Sequence, residues 1–309
     1  MTSLPVGGPL LYEGWLRLGW PRVEGATGAV DVVHSTSIIP AATALPLVVT
    51  VHDLAFLHDP SHFTARGVRV FRRSMELVKR KATRIICVSR TTFDDCVANG
   101  FPMDRLKHVP NGVRSVEVSA GAVETVIAKL GIPREFLLFV GTVEPRKNLA
   151  RLIEAHASLG DRVPELVIAG AAGWGGDNSL VDANNSRVRF LGFVPDAELN
   201  CLYSAATAVC YPSIREGFGL PILEAMSHGA PVVTSRGGAT EEVAGGAAEL
   251  VDALDVGSIA DGILRALANR DELSGRGRQR AAEMSWKRTA ELTRDVYVEA
   301  IADFPGRRA

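Results

Sequence analysis

One stretch constrains the fold of this chain more than any other: residues 211–235, YPSIREGFGLPILEAMSHGAPVVTS. The apolar run from Ala205 to Tyr211 enters it as a buried strand. Pro221 suits the first turn of a helix, where its missing N–H costs nothing. Gly229 suits the stop of that helix, and Pro231 to Thr234 read as the next strand. Strand, glycine-bearing loop, helix and strand make one repeat of a parallel α/β sheet.

Two carboxylates lie in this repeat. Glu216 falls in the loop and Glu224 about a turn into the helix, so both are expected at the crevice outside the carboxyl ends of the strands. Gly217 and Gly219 lack a Cβ and let a ligand approach the backbone N–H groups. A carboxylate accepts two parallel hydrogen bonds and matches a vicinal diol, as on a ribose or hexose. Two glutamates alone would more simply be read as favouring the helix dipole. The surrounding pattern E-G-F-G-L-P-x-x-E-A-M-x-x-G-x-P-V tips the balance toward a binding loop.

A second segment, FVGTVEPRKNL from Phe139 to Leu149, runs from a strand through Gly141 and two adjacent cations, Arg146 and Lys147, into a helix. The N–H groups at a helix start bind phosphate, and the cations add charge-assisted bonds to a diphosphate. Both cations are expected at an exposed loop-to-helix junction. The plain alternative is a pair of surface cations near a helix start.

These two segments resemble the donor-binding motifs of the retaining family 4 glycosyltransferases, which have the GT-B fold of two Rossmann-like domains. The resemblance implies that Glu224 holds the donor's ribose. It implies that Glu216, Gly217, Phe218, Gly219 and Leu220 contact the donor sugar, and that Gly141, Arg146 and Lys147 bind the diphosphate and stabilise its departure. His52, in V-T-V-H-D-L, looks like the family's first-domain histidine near the reacting centre. His34, in V-V-H-S-T, either lines the same cleft or is a satisfied histidine at a strand end. The run from Pro110 to Val113 matches the family's P-N-G-V-D, except that Arg114 stands where Asp is usual.

The wording V-T-V-H-D-L-A-F and G-T-V-E-P-R-K-N is closest to mannosyltransferases of polysaccharide assembly. GDP-mannose is thus the first expected donor and a UDP-hexose the second, with a glycan or lipid-linked acceptor. No cofactor and no metal are expected, since no two aspartates are separated by a single residue. The glycines after Ala169 do not make G-x-G-x-x-G, because Asn178 takes the last place, so a nicotinamide dehydrogenase is poorly supported. Two other readings stay open: a catalytically inactive nucleotide-sugar-binding or scaffold protein, and a sugar-nucleotide epimerase of the same fold.

Composition sets the outer limits. Hydrophobic residues make up 47% and charged residues 22%, as in a soluble globular protein, and the formal net charge of −1 gives no field for nucleic acid. The apolar runs are too short to span a membrane, and the N-terminus lacks the pattern of a secretory signal. Cys87, Cys96, Cys201 and Cys210 show no metal-type spacing, and Cys87 and Cys210 read as buried, reduced thiols. A cytoplasmic protein is expected. The helix predicted from Phe63 to Lys81 carries seven basic residues, which ordinarily form a solvated face. The same face could rest on the anionic inner surface of a membrane.

The expected organisation is an acceptor-side α/β domain over residues 1–116 and a donor-binding domain over 117–284. A final helix over 285–309 is expected to cross back to the first domain. Relatives usually open with three strand–helix pairs before the segment matching Asp31 to Ser35, and thirty residues are too few for them. The first domain is therefore expected to be incomplete at its start and prone to association, with Trp15, Leu16 and Trp20 covering part of the exposed sheet.

Overall fold

The computed structural model describes residues 4–5, 7–171 and 186–304. The chain divides into two compact units, Met1–Pro110 with Lys287–Ala309, and Asn111–Trp286.

In the first unit, strands β1 (Val33–Ser35), β2 (Leu47–Val51), β3 (Arg84–Cys87) and β4 (Leu106–His108) form a parallel sheet in sequential order. All of β2 is buried, as a strand covered on both faces must be, and its all-apolar sequence (one Thr aside) follows from that. The longer helices are α1 (Gly8–Arg17), α2 (Ala65–Lys81) and α3 (Arg90–Ala98). Thr64 caps α2 by accepting from the Gly67 N–H at 3.0 Å, and Ser89 caps α3 by accepting from the Thr92 N–H at 3.0 Å. Helix α2 buries Met75, Leu77 and Val78 and turns Arg66, Arg69, Arg72, Arg73, Arg80 and Lys81 outward. Leu16 of α1 is buried and Trp15 packs on the core, whereas Trp20 is 55% exposed and covers no part of it.

The second unit runs α4 (Ala120–Leu130), β5 (Phe136–Val140), α5 (Leu149–Leu159), β6 (Glu165–Ala169), β7 (Val188–Gly192) and α6 (Asp196–Ala205). It continues through β8 (Ala208–Tyr211), α7 (Leu220–His228), β9 (Val232–Ser235), α8 (Gly238–Ala244), β10 (Glu249–Val251), α9 (Val256–Ala268) and α10 (Arg270–Glu283). Its six strands are parallel in the order β10-β9-β8-β5-β6-β7. From β5 the chain builds outward one way and from β8 the other, so the topological switch point falls between these two strands. The first sheet, in strict sequential order, has no such reversal among its described strands.

The last helix, α11 (Trp286–Ala302), belongs to the first unit from Lys287 onward. It buries Val296 and Ala300 against Val48, Ile86 and Val109. Glu299 accepts from Arg84 Nε at 3.2 Å and pairs with Lys107 Nζ at 2.6 Å. His34 does not stand open at its strand end. Its Nδ1 lies 2.7 Å from the Tyr297 hydroxyl and its Nε2 2.8 Å from Thr50 Oγ1, so the ring serves the docking of α11. No helix among the described residues is long and apolar enough to cross a membrane.

Candidate active site

The switch point explains why distant residues meet. The loops leaving the neighbouring strands β5 and β8 carry Arg146 with Lys147, and Glu216, respectively. Glu216 Oε1 accepts from Lys147 Nζ at 2.6 Å and from the Tyr211 hydroxyl at 2.9 Å, and Oε2 accepts from Arg146 Nη1 at 2.9 Å. Arg146 Nε also donates to Glu144 at 3.0 Å, and Thr142 Oγ1 to the other oxygen of Glu144 at 2.6 Å. Lys147 Nζ bonds the Tyr211 hydroxyl and lies 4.7 Å from the centre of that ring.

Lys147 corrects the sequence-based expectation of an exposed junction. A short 3-10 turn, Pro145–Lys147, tucks its side chain beneath the loop, where it is buried; Arg146 remains partly exposed. The turn ends at Asn148, whose φ of 63° lies in the left-handed region that asparagine tolerates. Its side chain donates to Pro212 O at 2.9 Å and Ala253 O at 2.5 Å and so ties together the loops after β5, β8 and β10. Glycine is required nearby at Gly170, because a Cβ there would overlap the carbonyl of Gly141.

The charges are settled by competition. Burial pushes the Glu216 carboxyl up, but Lys147, Arg146 and the bonds from Lys147 and Tyr211 outweigh it and hold it below the usual carboxylate range. Burial opposes the charge on Arg146, yet Glu216 and Glu144 together raise its pKa further. Burial pulls the Lys147 ammonium down despite the opposing charge of Glu216, so the packed cluster sets desolvation against ion pairing. One proton of the Lys147 ammonium and the Nη2 group of Arg146 have no hydrogen-bond partner in it.

Glu224 stands apart from this cluster. Its Oε2 accepts from the Tyr203 hydroxyl at 2.9 Å, and the carboxylate lines a cavity of about 180 Å³ with Arg114, Asp196, Asn200, Tyr203 and Trp286. Burial pushes its carboxyl up; the Tyr203 hydroxyl pulls it down and the charge of Asp196 adds to the rise. The loop between the two glutamates places Phe218 in the core, and Gly219, with φ of 105°, precedes Leu220 at the start of α7. Gly217 lies in the same loop and Gly141, with φ of 151°, follows β5. His52 follows β2 in the first unit, where its Nε2 bonds Thr36 O at 2.9 Å.

Sequence reasoning passed over Glu144, Tyr211, Tyr203 and Asn148. Glu144 and Asn148 flank the cations inside the motif already singled out, but Tyr211 and Tyr203 read as ordinary buried aromatics and carry no local signal. The glycine-rich run from Gly173 to Asn178 lies outside the described residues.

Residues 123–284 match the family model described as Glycosyl transferases group 1, and residues 5–115 that of Glycosyltransferase Family 4. The chain belongs to this glycosyltransferase family. Among curated relatives of these glycosyltransferases, O-antigen chain mannosyltransferase B of Escherichia coli is 34% identical over 94% of this chain and 80% of its own. D-inositol 3-phosphate glycosyltransferase of Saccharomonospora viridis is 31% identical over 90% of this chain and 72% of its own. Against serotype-specific mannosyltransferase WbdA of Escherichia coli, identity is 28% and the chain spans about a third of that protein (33%). The solved structure of Anabaena HepE in complex with UDP and glucose superposes with a TM-score of 0.73 at 20% identity, over 97% of this chain and 84% of that one. WaaG, a glycosyltransferase involved in lipopolysaccharide biosynthesis, gives 0.73 at 19% identity, over 96% and 85%. These structures share the two-sheet GT-B fold.

Proposed function

We propose that this glycosyltransferase moves a hexose, mannose in the first instance, from a nucleoside-diphosphate sugar to a hydroxyl of a glycan or lipid-linked acceptor, with retention at the anomeric carbon. The observation that carries the reading is the convergence of Arg146, Lys147 and Glu216 at the switch point of the second sheet. The ammonium proton and guanidinium group without partners suit a diphosphate, and their charge acts where negative charge grows as the leaving group departs. Glu216 and the glycine loop after it face the donor sugar, and Glu224 takes the ribose diol. From the first unit, His52 is assigned to the reacting centre by its motif. The bond from the anomeric carbon to the diphosphate oxygen breaks, the acceptor oxygen bonds from the same face, and its proton leaves. No metal or cofactor takes part in this scheme.

Mannose is favoured by the 34% identity to a mannosyltransferase, with GDP-mannose ahead of a UDP-hexose. The test is an assay of the purified chain with each labelled nucleotide sugar and a mannan-type acceptor, with and without chelator. Acceptor-dependent release of nucleoside diphosphate supports transfer. Net epimer formation without acceptor, or binding without turnover, overturns it.

The reading includes contact with an anionic membrane surface. Arg66, Arg69, Arg73 and Arg80 form one stripe along α2, and among the described residues none of them has an ion-pair partner. Arg73 Nε donates to Leu16 O of α1 at 3.2 Å, which sets beside that stripe a segment exposing Leu10, Leu18 and Trp20. Sedimentation with vesicles containing phosphatidylglycerol, but not with neutral ones, is the expected result. Equal binding to neither or both overturns it.

A further inference from the structure

Building on the nucleotide-sugar reading above, we infer that Tyr211 is a positioning residue for transfer, its phenol oxygen aiming the Lys147 ammonium at the donor diphosphate.

Tyr211 is the last residue of β8, and its side chain is fully buried. The ring packs on Phe139 of β5 with centroids 6.4 Å apart, and its main-chain carbonyl accepts from Thr234 Oγ1 at 2.9 Å. Close packing of this kind holds a side chain in one rotamer, so the phenol oxygen occupies a fixed point. Packing alone does not call for that oxygen. The rest of β8, Ala208, Val209 and Cys210, is apolar, and a phenylalanine ring would fill the space without a polar atom to desolvate. The plain account of the hydroxyl is a donor for the buried Glu216 carboxylate, whose Oε1 lies 2.9 Å away. Glu216 already accepts from Lys147 and Arg146, however, and this account leaves out a second bond: the phenol oxygen also accepts from Lys147 Nζ.

The direction of the ammonium follows. The phenol gives its one proton to Glu216 and meets Lys147 only as an acceptor. Of the three ammonium protons, one goes to Glu216 Oε1 at 2.6 Å and a second to the phenol oxygen, which fixes where the third points. With Glu216 as its only acceptor, the ammonium would turn about that single bond and no direction would be set. Tyr211 thus supplies orientation, which bears on the rate of diphosphate departure rather than on donor affinity.

The phenol also supports the charge. Lys147 faces Glu216 and Tyr211 from β8 and the loop after it, and Arg146 and Glu144 from its own loop. Burial and Arg146 pull the ammonium down, and Glu216 and Glu144 oppose them. Removing an acceptor from the charged form pulls it down further. The phenol itself stays protonated, because burial and the charge of Glu216 push it up.

The experiment compares the full chain as wild type, Tyr211→Phe and Phe139→Leu, with stability read by urea denaturation. Initial rates are taken between about pH 6 and 10, with a mannan-type acceptor and whichever of GDP-mannose and UDP-glucose wild type turns over. In Tyr211→Phe, kcat at neutral pH is expected to fall about ten- to a hundredfold, with KM for the donor within about threefold of wild type. The alkaline limb of its rate profile is expected at lower pH, since Lys147 then loses its proton sooner. Phe139→Leu loosens the packing of the ring and is expected to lose stability with the limb in place. Fluorotyrosine in place of Tyr211 keeps the shape of the side chain and makes its oxygen a weaker acceptor. The limb should then move the same way by a smaller amount, which decides the matter if Tyr211→Phe does not fold. Wild-type kcat and limb in Tyr211→Phe, or an equal shift of the limb in Phe139→Leu, overturns this assignment while the donor reading stands. A raised donor KM with kcat unchanged does the same, because Tyr211 would then serve ground-state binding. A folded wild-type chain that turns over neither nucleotide sugar overturns the donor reading and this assignment with it.

Discussion

Lys147 Nζ lies 2.6 Å from Glu216 Oε1, and the two side chains keep only 10% and 8% of their surface exposed. They reach one another because β5 and β8 are neighbours in the sheet although far apart in sequence. A buried pair of this kind is poor evidence of net stability, because desolvation offsets much of the attraction. Its removal by halves is another matter, since one partner is then left charged and uncompensated.

Glu216→Ala is accordingly expected to destabilise the protein by about 3–5 kcal/mol, and the double change Glu216→Leu with Lys147→Met by much less. Urea denaturation followed by tryptophan fluorescence checks this. A single mutant as stable as wild type would contradict the pairing.

The same pair sets a dependence on pH. The folded state holds the Glu216 carboxyl below its ordinary value of 4.5, because the nearby cations outweigh its burial. Its contribution to stability is therefore fully present above that value and is lost as pH falls through the lower folded value. The stability gap between wild type and Glu216→Gln should be constant from pH 7 to about 5 and close as pH falls through the lower folded value. A gap that widens on acidification would reverse the sign and reject the assignment.

Loss of Lys147 bears on rate. Lys147→Ala removes a charge aimed at the departing diphosphate, and turnover is expected to fall by about 10²–10³ in protein that remains folded. Arg146→Ala, at a more exposed position, should fall less far. Steady-state assays with donor and acceptor decide this, and unchanged turnover in both variants would remove the phosphate role.

Glu224→Ala takes away the acceptor assigned to the ribose diol and should weaken nucleoside diphosphate binding by about 1.5–3 kcal/mol. Tyr203→Phe leaves the carboxylate without its buried donor and should weaken binding by a smaller amount. Titration calorimetry on both variants tests the pair together. Unchanged affinity in a folded Glu224→Ala protein would take Glu224 out of the site.

A fourth site tests the scaffold behind the signature. Gly229 ends α7 with φ of 77°, and Arg278 Nη2 donates to the His228 carbonyl at 3.0 Å beside it. A Cβ on residue 229 would run into that guanidinium. Gly229→Ala is therefore expected to cost more than about 1 kcal/mol, from backbone strain and the lost cap together. In a double-mutant cycle with Arg278→Ala, part of the cost should disappear and the strain should remain. Full additivity in thermal melts would show that the two positions do not interact.

The alternation of apolar strands with amphipathic helices and the placing of glycine and proline made the parallel α/β architecture legible without coordinates. So were the strand–loop–helix–strand repeat around Glu216 and the stop at Gly229, because hydrophobic period and backbone permissiveness are local properties. The two motifs bearing Arg146, Lys147, Glu216 and Glu224 were legible for the same reason, each being contained in one loop and its helix. Which residues meet was not. The strand order that sets β5 beside β8 is a choice among packings of the same strands, and it alone joins Lys147 to Glu216 and to Tyr211. Burial followed from it: the sequence places Lys147 at an exposed loop-to-helix junction, and the turn over Pro145–Lys147 puts it inside. His34 shows the same division, since its strand-end place is written locally but its partner Tyr297 lies at the far end of the chain. Local sequence determined the elements and the chemistry each could offer. The tertiary structure decided which charges would be desolvated together, because that depends on which strands lie side by side.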